Sequence, residues 1–298
     1  MKTIWNRAAW LMVLTTGVAA AAISCTDTST SPSAADAARI KQVAADKKVA
    51  VLRSKYGWPA DYHTRVLEYT YTQLIKEKAK SLSPADKCRV MEKAVAEFHK
   101  AYRRDGQPLG PAEGAFAATA CDPQVRKQII AGPPAGVVPR QNDISSDAIA
   151  MLAQIDQAVD NAYSLASLRT AIYSIESNAA ASLGESEAGA VMSAGELTIS
   201  SAEYWEQNAD IWAQTVSSDR PLMYDRAADG HRVAKVVVAP PGSTARFDWK
   251  DKEKRIIRAD ISAFIAAIIF DWWTGPVAWG RAALRAGAAS LATAILPY

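Results

Sequence analysis

The last 39 residues, "DISAFIAAIIFDWWTGPVAWGRAALRAGAASLATAILPY" from Asp260 to Tyr298, constrain the fold more than any other stretch of this 298-residue chain. Uncharged runs extend from Ile261 to Phe270, from Trp272 to Gly280 and from Ala286 to Tyr298, so none exceeds 13 residues. A helix that spans a bilayer takes roughly 18 or more. Gly275-Pro276 divides the stretch into two helices. The ten-residue run would cover about 15 Å of a hydrocarbon core about 30 Å thick. On the first helix Ile257, Ile261, Phe264, Ile265, Ile268 and Trp272 share one side, with Ala263, Ala266 and Ala267 opposite.

A helix apolar nearly all round has two environments, burial among other helices or a shallow re-entrant hairpin. In the second, Phe264, Trp272, Trp273 and Trp279 would touch lipid, and Asp271 and Arg281 would lie deepest, at a few kcal/mol each unless paired. In the first, those charges sit at the surface beside the turn. The short runs favour burial, and the expectation is a helical hairpin over residues 256–296 covered mainly by the protein's own acidic helices. Ala282, Ala286, Ala289, Ser290 and Thr293 would allow close helix approach, and Arg281 and Arg285, one turn apart, would reach carboxylates of residues 143–219.

Charge is unevenly placed. Residues 26–142 carry 19 basic and 12 acidic side chains, residues 143–219 carry 1 and 12, and residues 220–298 carry 12 and 7. An acidic middle between basic flanks implies that these segments pack side by side. With a formal charge of only +3 for the whole chain, nucleic acid is not an expected partner.

The N-terminus, "MKTIWNRAAWLMVLTTGVAAAAISCTD", has a basic start at Lys2 and Arg7 and an uncharged stretch from Ala8 to Ser24. That is the pattern of a secretory signal. Ala22-Ile23-Ser24-Cys25 resembles the bacterial lipobox, although Ala22 stands where that motif usually has Leu. The resemblance implies removal of residues 1–24 and attachment of lipid to Cys25, with the membrane as a partner through that lipid. A plain signal peptide or an uncleaved helix are the alternatives. Asp27 lies two places after Cys25 rather than one, which favours the outer over the inner membrane. "TDTSTSPS" reads as a flexible tether, residues 25–36. Cys88 and Cys121 are then the remaining thiols, and in an oxidising envelope they are expected to pair, closing a 33-residue loop. Such closure contributes roughly 3–4 kcal/mol. The alternative is two buried unpaired thiols.

Elsewhere apolar residues keep helical spacing. In "SPADKCRVMEKAVAEFHKAYRRDG", Ser83 is a natural N-cap, Pro84 fits the first turn, and Val90, Met91, Ala94, Val95, Phe98, Ala101 and Tyr102 form one stripe. Leu67, Tyr71, Leu74 and Ile75 mark a helix before it, and Ile40, Val43, Ala44 and Val51 a weaker one. Residues 37–105 therefore read as an N-terminal helical region, 106–142 as a Pro/Gly-rich connection of low order, and 143–298 as a helical domain. In that domain Ile149, Leu152, Ile155 and Val159, then Leu165, Leu168, Ile172, Ile175 and Ala179, have the spacing of a bundle seam, and Thr198, Ala202, Trp205, Ala209, Trp212 and Val216 share one face. "HRVAKVVVAPPG" alone reads as extended, a short hairpin turned at Asp229-Gly230. The expected fold class is all-α, a multi-helix bundle with a C-terminal apolar hairpin and at most one short β-hairpin.

No catalytic, metal or cofactor motif is present: His63, His99 and His231 have no partners at ligand spacing, and G-x-S-x-G, S-x-x-K and H-E-x-x-H are missing. His99 reads as a solvated surface residue. Tyr204, Trp205 and Trp212 offer a possible aromatic groove, against the plainer reading of a core seam. Ser200-Ser201-Ala202-Glu203-Tyr204-Trp205 and the tail from Ala259-Asp260 onward resemble a group of uncharacterised bacterial lipoproteins and secreted proteins, in which polar helices precede an Ala/Gly-rich, glycine-zipper-like tail. This tail has only Gly275, Gly280 and Gly287. The resemblance implies no activity. The expected role is a non-catalytic binding or scaffolding protein of the cell envelope, with a protein partner possible; the alternative is a membrane-active or pore-forming effector working through the apolar hairpin.

Overall fold

The computed structural model describes residues 33–101, 120–130, 144–216, 251–271 and 276–296. Among these residues there are nine α-helices, one 3-10 turn and no strand. The helices are α1 (Ala34–Tyr56), α2 (Trp58–Lys76), α3 (Pro84–Ala101), α4 (Pro123–Ile130), α5 (Ser146–Asn161), α6 (Leu165–Ser182), α7 (Glu185–Val216), α8 (Asp251–Asp271) and α9 (Pro276–Ile295). The all-α bundle expected from periodicity is the observed fold. The proposed lipid site Cys25, the extended segment near Asp229-Gly230, and Trp272 and Trp273 lie outside the described residues.

Local chemistry sets the helix ends. Ser83 Oγ accepts from Asp86 N at 3.2 Å and Pro84 opens α3. Ser145 Oγ accepts from Ala148 N at 3.2 Å, and Ser164 with Ser167 forms a reciprocal capping box at the start of α6. Gly57 joins α1 to α2 within one residue: its N–H donates to Arg53 O at 2.7 Å, and Ala60 N donates to its carbonyl at 3.1 Å. A side chain at Gly57 would collide with that Arg53 oxygen.

The 32-residue helix α7 is the axis of the bundle, with α2, α5, α6, α8 and α9 all packed on it. Its Ala- and Gly-rich first half is buried almost without interruption from Ala188 to Leu197, and a methyl group on Gly189 would lie 2.8 Å from the Tyr56 ring. That ring meets Trp279 edge-on at 5.0 Å, so close helix approach here draws α1, α7 and α9 together. The seams expected on α5, α6 and the second half of α7 are buried except at Ile149 and Leu165, which are half-buried in the first turns of α5 and α6.

The C-terminal hairpin is α8 and α9. Phe264 is 0 % and Trp279 1 % exposed, so two of the four side chains considered for lipid contact are enclosed by protein. Ala282, Ala286, Ala289, Ser290 and Thr293 are buried as expected. The covering surface differs from expectation: α8 lies on α7 and α5, but α9 lies more on α2, from the basic N-terminal region, than on the acidic α7. Gly287 makes this possible, since a Cβ there would stand 2.7 Å from Val66 Cγ1 on α2. No described helix is long and apolar enough to cross a membrane.

This packing corrects the division at 106–142: residues from Lys41 to Tyr298 form one compact unit, because α2 is built into the same core as α7 and α9. Nor is 106–142 without order, since α4 lies inside it and docks on α8 and α9. The signals were Asp122, whose carboxylate accepts from Gln124 N at 2.7 Å, and Pro123 at the first helical position. The tether boundary also moves, with α1 already helical at Ala34. On α1 the buried face is Val49, Leu52 and Tyr56, while Val43 and Val51 are exposed, so the stripe does not follow the sparse apolar pattern upstream.

The acidic middle does pack between basic flanks. Arg53 bonds Glu176, with Glu196 at 3.0 Å from the same guanidinium, Lys55 pairs with Glu185, and Arg258 on α8 stands 3.2 Å from Asp160 and 3.8 Å from Asp156 on α5. Burial raises the Glu176 carboxyl from 4.5 to about 7, while the Arg53 hydrogen bond and charge act the other way. A carboxyl whose folded-state pKa is raised holds its proton more tightly when folded, so stability falls as pH climbs from about 4.5 to about 7 and then levels. Compared with Glu176→Gln, the parent protein should lose on the order of 1–3 kcal/mol between about pH 5 and about pH 8. Urea midpoints measured across that range will show this; parallel pH curves for the two proteins would contradict it.

Cys88 and Cys121 are joined by a disulfide, Cα–Cα 6.0 Å, which ties the start of α3 to the start of α4 across 33 residues of sequence. Reduction should lower stability by roughly 3 kcal/mol. Denaturation with and without reductant measures it, and coincident midpoints would show that the bond holds nothing in place.

Candidate functional site

At the centre of the bundle three side chains from two helices converge on one carboxylate of a third. Asp260 on α8 accepts at Oδ1 from His63 Nε2 of α2 at 2.8 Å. Its Oδ2 accepts from Ser201 Oγ at 2.5 Å and from Trp205 Nε1 at 3.2 Å, both on α7 and one turn apart. All four residues are 0 % exposed. The types are those of a Ser-His-Asp set, but the order is not. Nucleophile activation needs the imidazole between hydroxyl and carboxylate, so that the ring takes the hydroxyl proton. Here the carboxylate stands between them. His63 Nε2 faces the carboxylate, and its Nδ1 has no hydrogen-bond partner among the described residues. The arrangement gives three buried donors a common acceptor and fixes α2, α7 and α8 against one another. Among the described residues no group of three His, Cys, Asp or Glu side chains is placed to hold a metal ion.

Thr64, Ser200 and Tyr204, each next in sequence to a hub residue, line a surface cleft. This cleft of about 400 Å³ runs between α2 and α7, with Thr64, Glu68 and Tyr71 on one wall and Ser200, Glu203 and Tyr204 on the other. Trp212, 1 % exposed, closes its floor. The floor is built as an aromatic stack: Trp212 lies 4.8 Å from Tyr71 and 5.5 Å from Trp205, and Tyr204 meets Trp205 edge-on at 5.2 Å. Trp212 Nε1 donates to the Tyr204 hydroxyl at 3.0 Å, and Thr64 and Ser200 share a hydrogen bond of 2.9 Å across the helix pair. Burial pushes the Tyr204 phenol far above its usual range, against the pull of the Trp212 bond, so it stays protonated.

The aromatic trio read from sequence is therefore brought together and divides in use. Trp205 and Trp212 are core, while Tyr204 presents a half-buried ring to the cleft. His99, expected on the solvated surface, is half-buried, with its Nδ1 2.9 Å from the Tyr62 hydroxyl. Glu206 and Asp210 remain on an exposed face, whereas Glu203 pairs with Arg169 of α6 at 2.5 Å. What sequence reasoning missed was the hub. One signal could have found it: Asp260 is the single charge in the run from Ala259 to Phe270, and a carboxylate so placed requires buried donors. No protein family, curated protein or solved structure matches the chain.

Proposed function

We propose that this chain is a cell-envelope lipoprotein, anchored through Cys25, whose helical bundle is a rigid non-catalytic binding platform with the α2/α7 cleft as its ligand face. One observation carries the reading: the most apolar segment is consumed by the protein's own core, with Phe264 and Trp279 enclosed, and the α2/α7 cleft, floored by Trp212, is open to a small molecule. The Cys88–Cys121 disulfide supports an oxidising compartment, where such bonds persist. The basic start, uncharged run and lipobox-like Ala22-Ile23-Ser24-Cys25 support export and lipid attachment. Anchoring by lipid makes a membrane-inserting tail unnecessary, since each buried methylene contributes about 0.8 kcal/mol.

The test separates anchor from fold. The mature N-terminal peptide should carry lipid mass at Cys25, and Cys25→Ala should leave uncut precursor or release protein from the membrane fraction. A Cys25→Ala chain beginning at residue 25 should then purify without detergent and cause no dye release from liposomes. Leakage by that protein, or its dependence on detergent, would favour the membrane-active alternative.

A further inference from the structure

We propose that the α2/α7 cleft is a site for a small organic cation, an ammonium compound that also carries a hydrogen-bonding oxygen; this rests on the binding-platform reading above. Charge comes first. Among the described residues no Lys, Arg or His lines the cleft, and two carboxylates do. Glu203 is balanced by Arg169, but Glu68 forms no ion pair among the described residues and stands exposed on the α2 wall. An anionic ligand would meet Glu68 unshielded, whereas a cation would neutralise it.

The walls fit the same choice. Tyr71 and Tyr204 present half-buried rings, whose faces attract an ammonium group, and the stack beneath them holds those rings in place. Asn208, which also lines the cleft, donates from Nδ2 to Tyr204 O at 2.8 Å, and that bond orients an amide whose oxygen can accept from an N–H donor. The Tyr204 hydroxyl accepts from Trp212 and has no acceptor for its own proton among the described residues, so it can donate to an oxygen on the ligand. A volume of about 400 Å³ suits a small molecule and not a folded partner.

The experiment titrates four probes into the full mature protein: choline and spermidine as cations, glucose as a neutral polyol and glutamate as an anion. The Trp212 indole N–H resonance reports occupancy, because its acceptor is the cleft tyrosine. The two amines should shift it saturably, and Glu68→Gln, a surface change that leaves the core intact, should weaken them about tenfold, equivalent to about 1.4 kcal/mol. Raising salt from about 0.05 M to about 0.5 M should weaken them further. Saturation by glucose or glutamate with no response to either amine would overturn the cation assignment while leaving a binding platform. Amine binding unchanged in Glu68→Gln would overturn the site. Silence from all four probes would remove both the assignment and the cleft as ligand face.

Discussion

Asp260→Ala should destabilise the protein by about 3–5 kcal/mol, because it leaves buried His63, Ser201 and Trp205 donors without their common acceptor. That is a large part of the 5–15 kcal/mol typical of a folded protein. Asp260→Asn keeps the shape and one acceptor oxygen, and should cost less, about 1–2 kcal/mol. His63→Ala combined with Asp260→Ala should cost less than the two single changes added together, since a donor and its acceptor are removed as a pair. Urea denaturation of the four proteins measures all of this. An Asp260→Ala midpoint within error of the parent would mean that the hub does not hold α2, α7 and α8 together.

Removing α9 should have a larger effect. A chain ending at Gly275 loses Trp279, Leu284, Leu291 and Ile295, all at most 3 % exposed. At about 1.5–3 kcal/mol for each fully buried large apolar side chain, these four alone approach the whole stability of an ordinary domain. The truncation also bares Val66 and Leu67 on α2 and the inward face of α8. The truncated protein should show helical circular dichroism without a cooperative unfolding transition, and should bind a hydrophobic dye. A truncated chain that melts cooperatively near the parent midpoint would show the tail to be an appendage.

Much of the bundle was legible because helix periodicity and capping are local. Ser83-Pro84 marks a helix start through a side chain within three residues of the backbone it bonds. The disulfide followed from counting thiols, and the packing of the acidic middle against basic flanks followed from charge placement. Partners far apart in sequence were not legible. His63 and Asp260 are separated by 197 residues, and no local pattern connects them. The placement of α9 on α2 depends on Gly287 meeting Val66 in space, which neither residue announces by itself. The cleft has the same origin. Tyr71 and Tyr204 come from helices brought together only by the core, so the sequence offered Tyr204 with its neighbours Trp205 and Trp212 and could not supply the opposite wall.

Peptide-level hydrogen exchange over residues 256–270 and 279–296, with and without anionic liposomes, tests most directly whether the apolar hairpin is the protein's own core. The account predicts that these peptides exchange among the slowest in the chain, through openings close to global unfolding, and that liposomes leave their rates unchanged. Fast exchange in free protein, slowed only when liposomes are added, would contradict it.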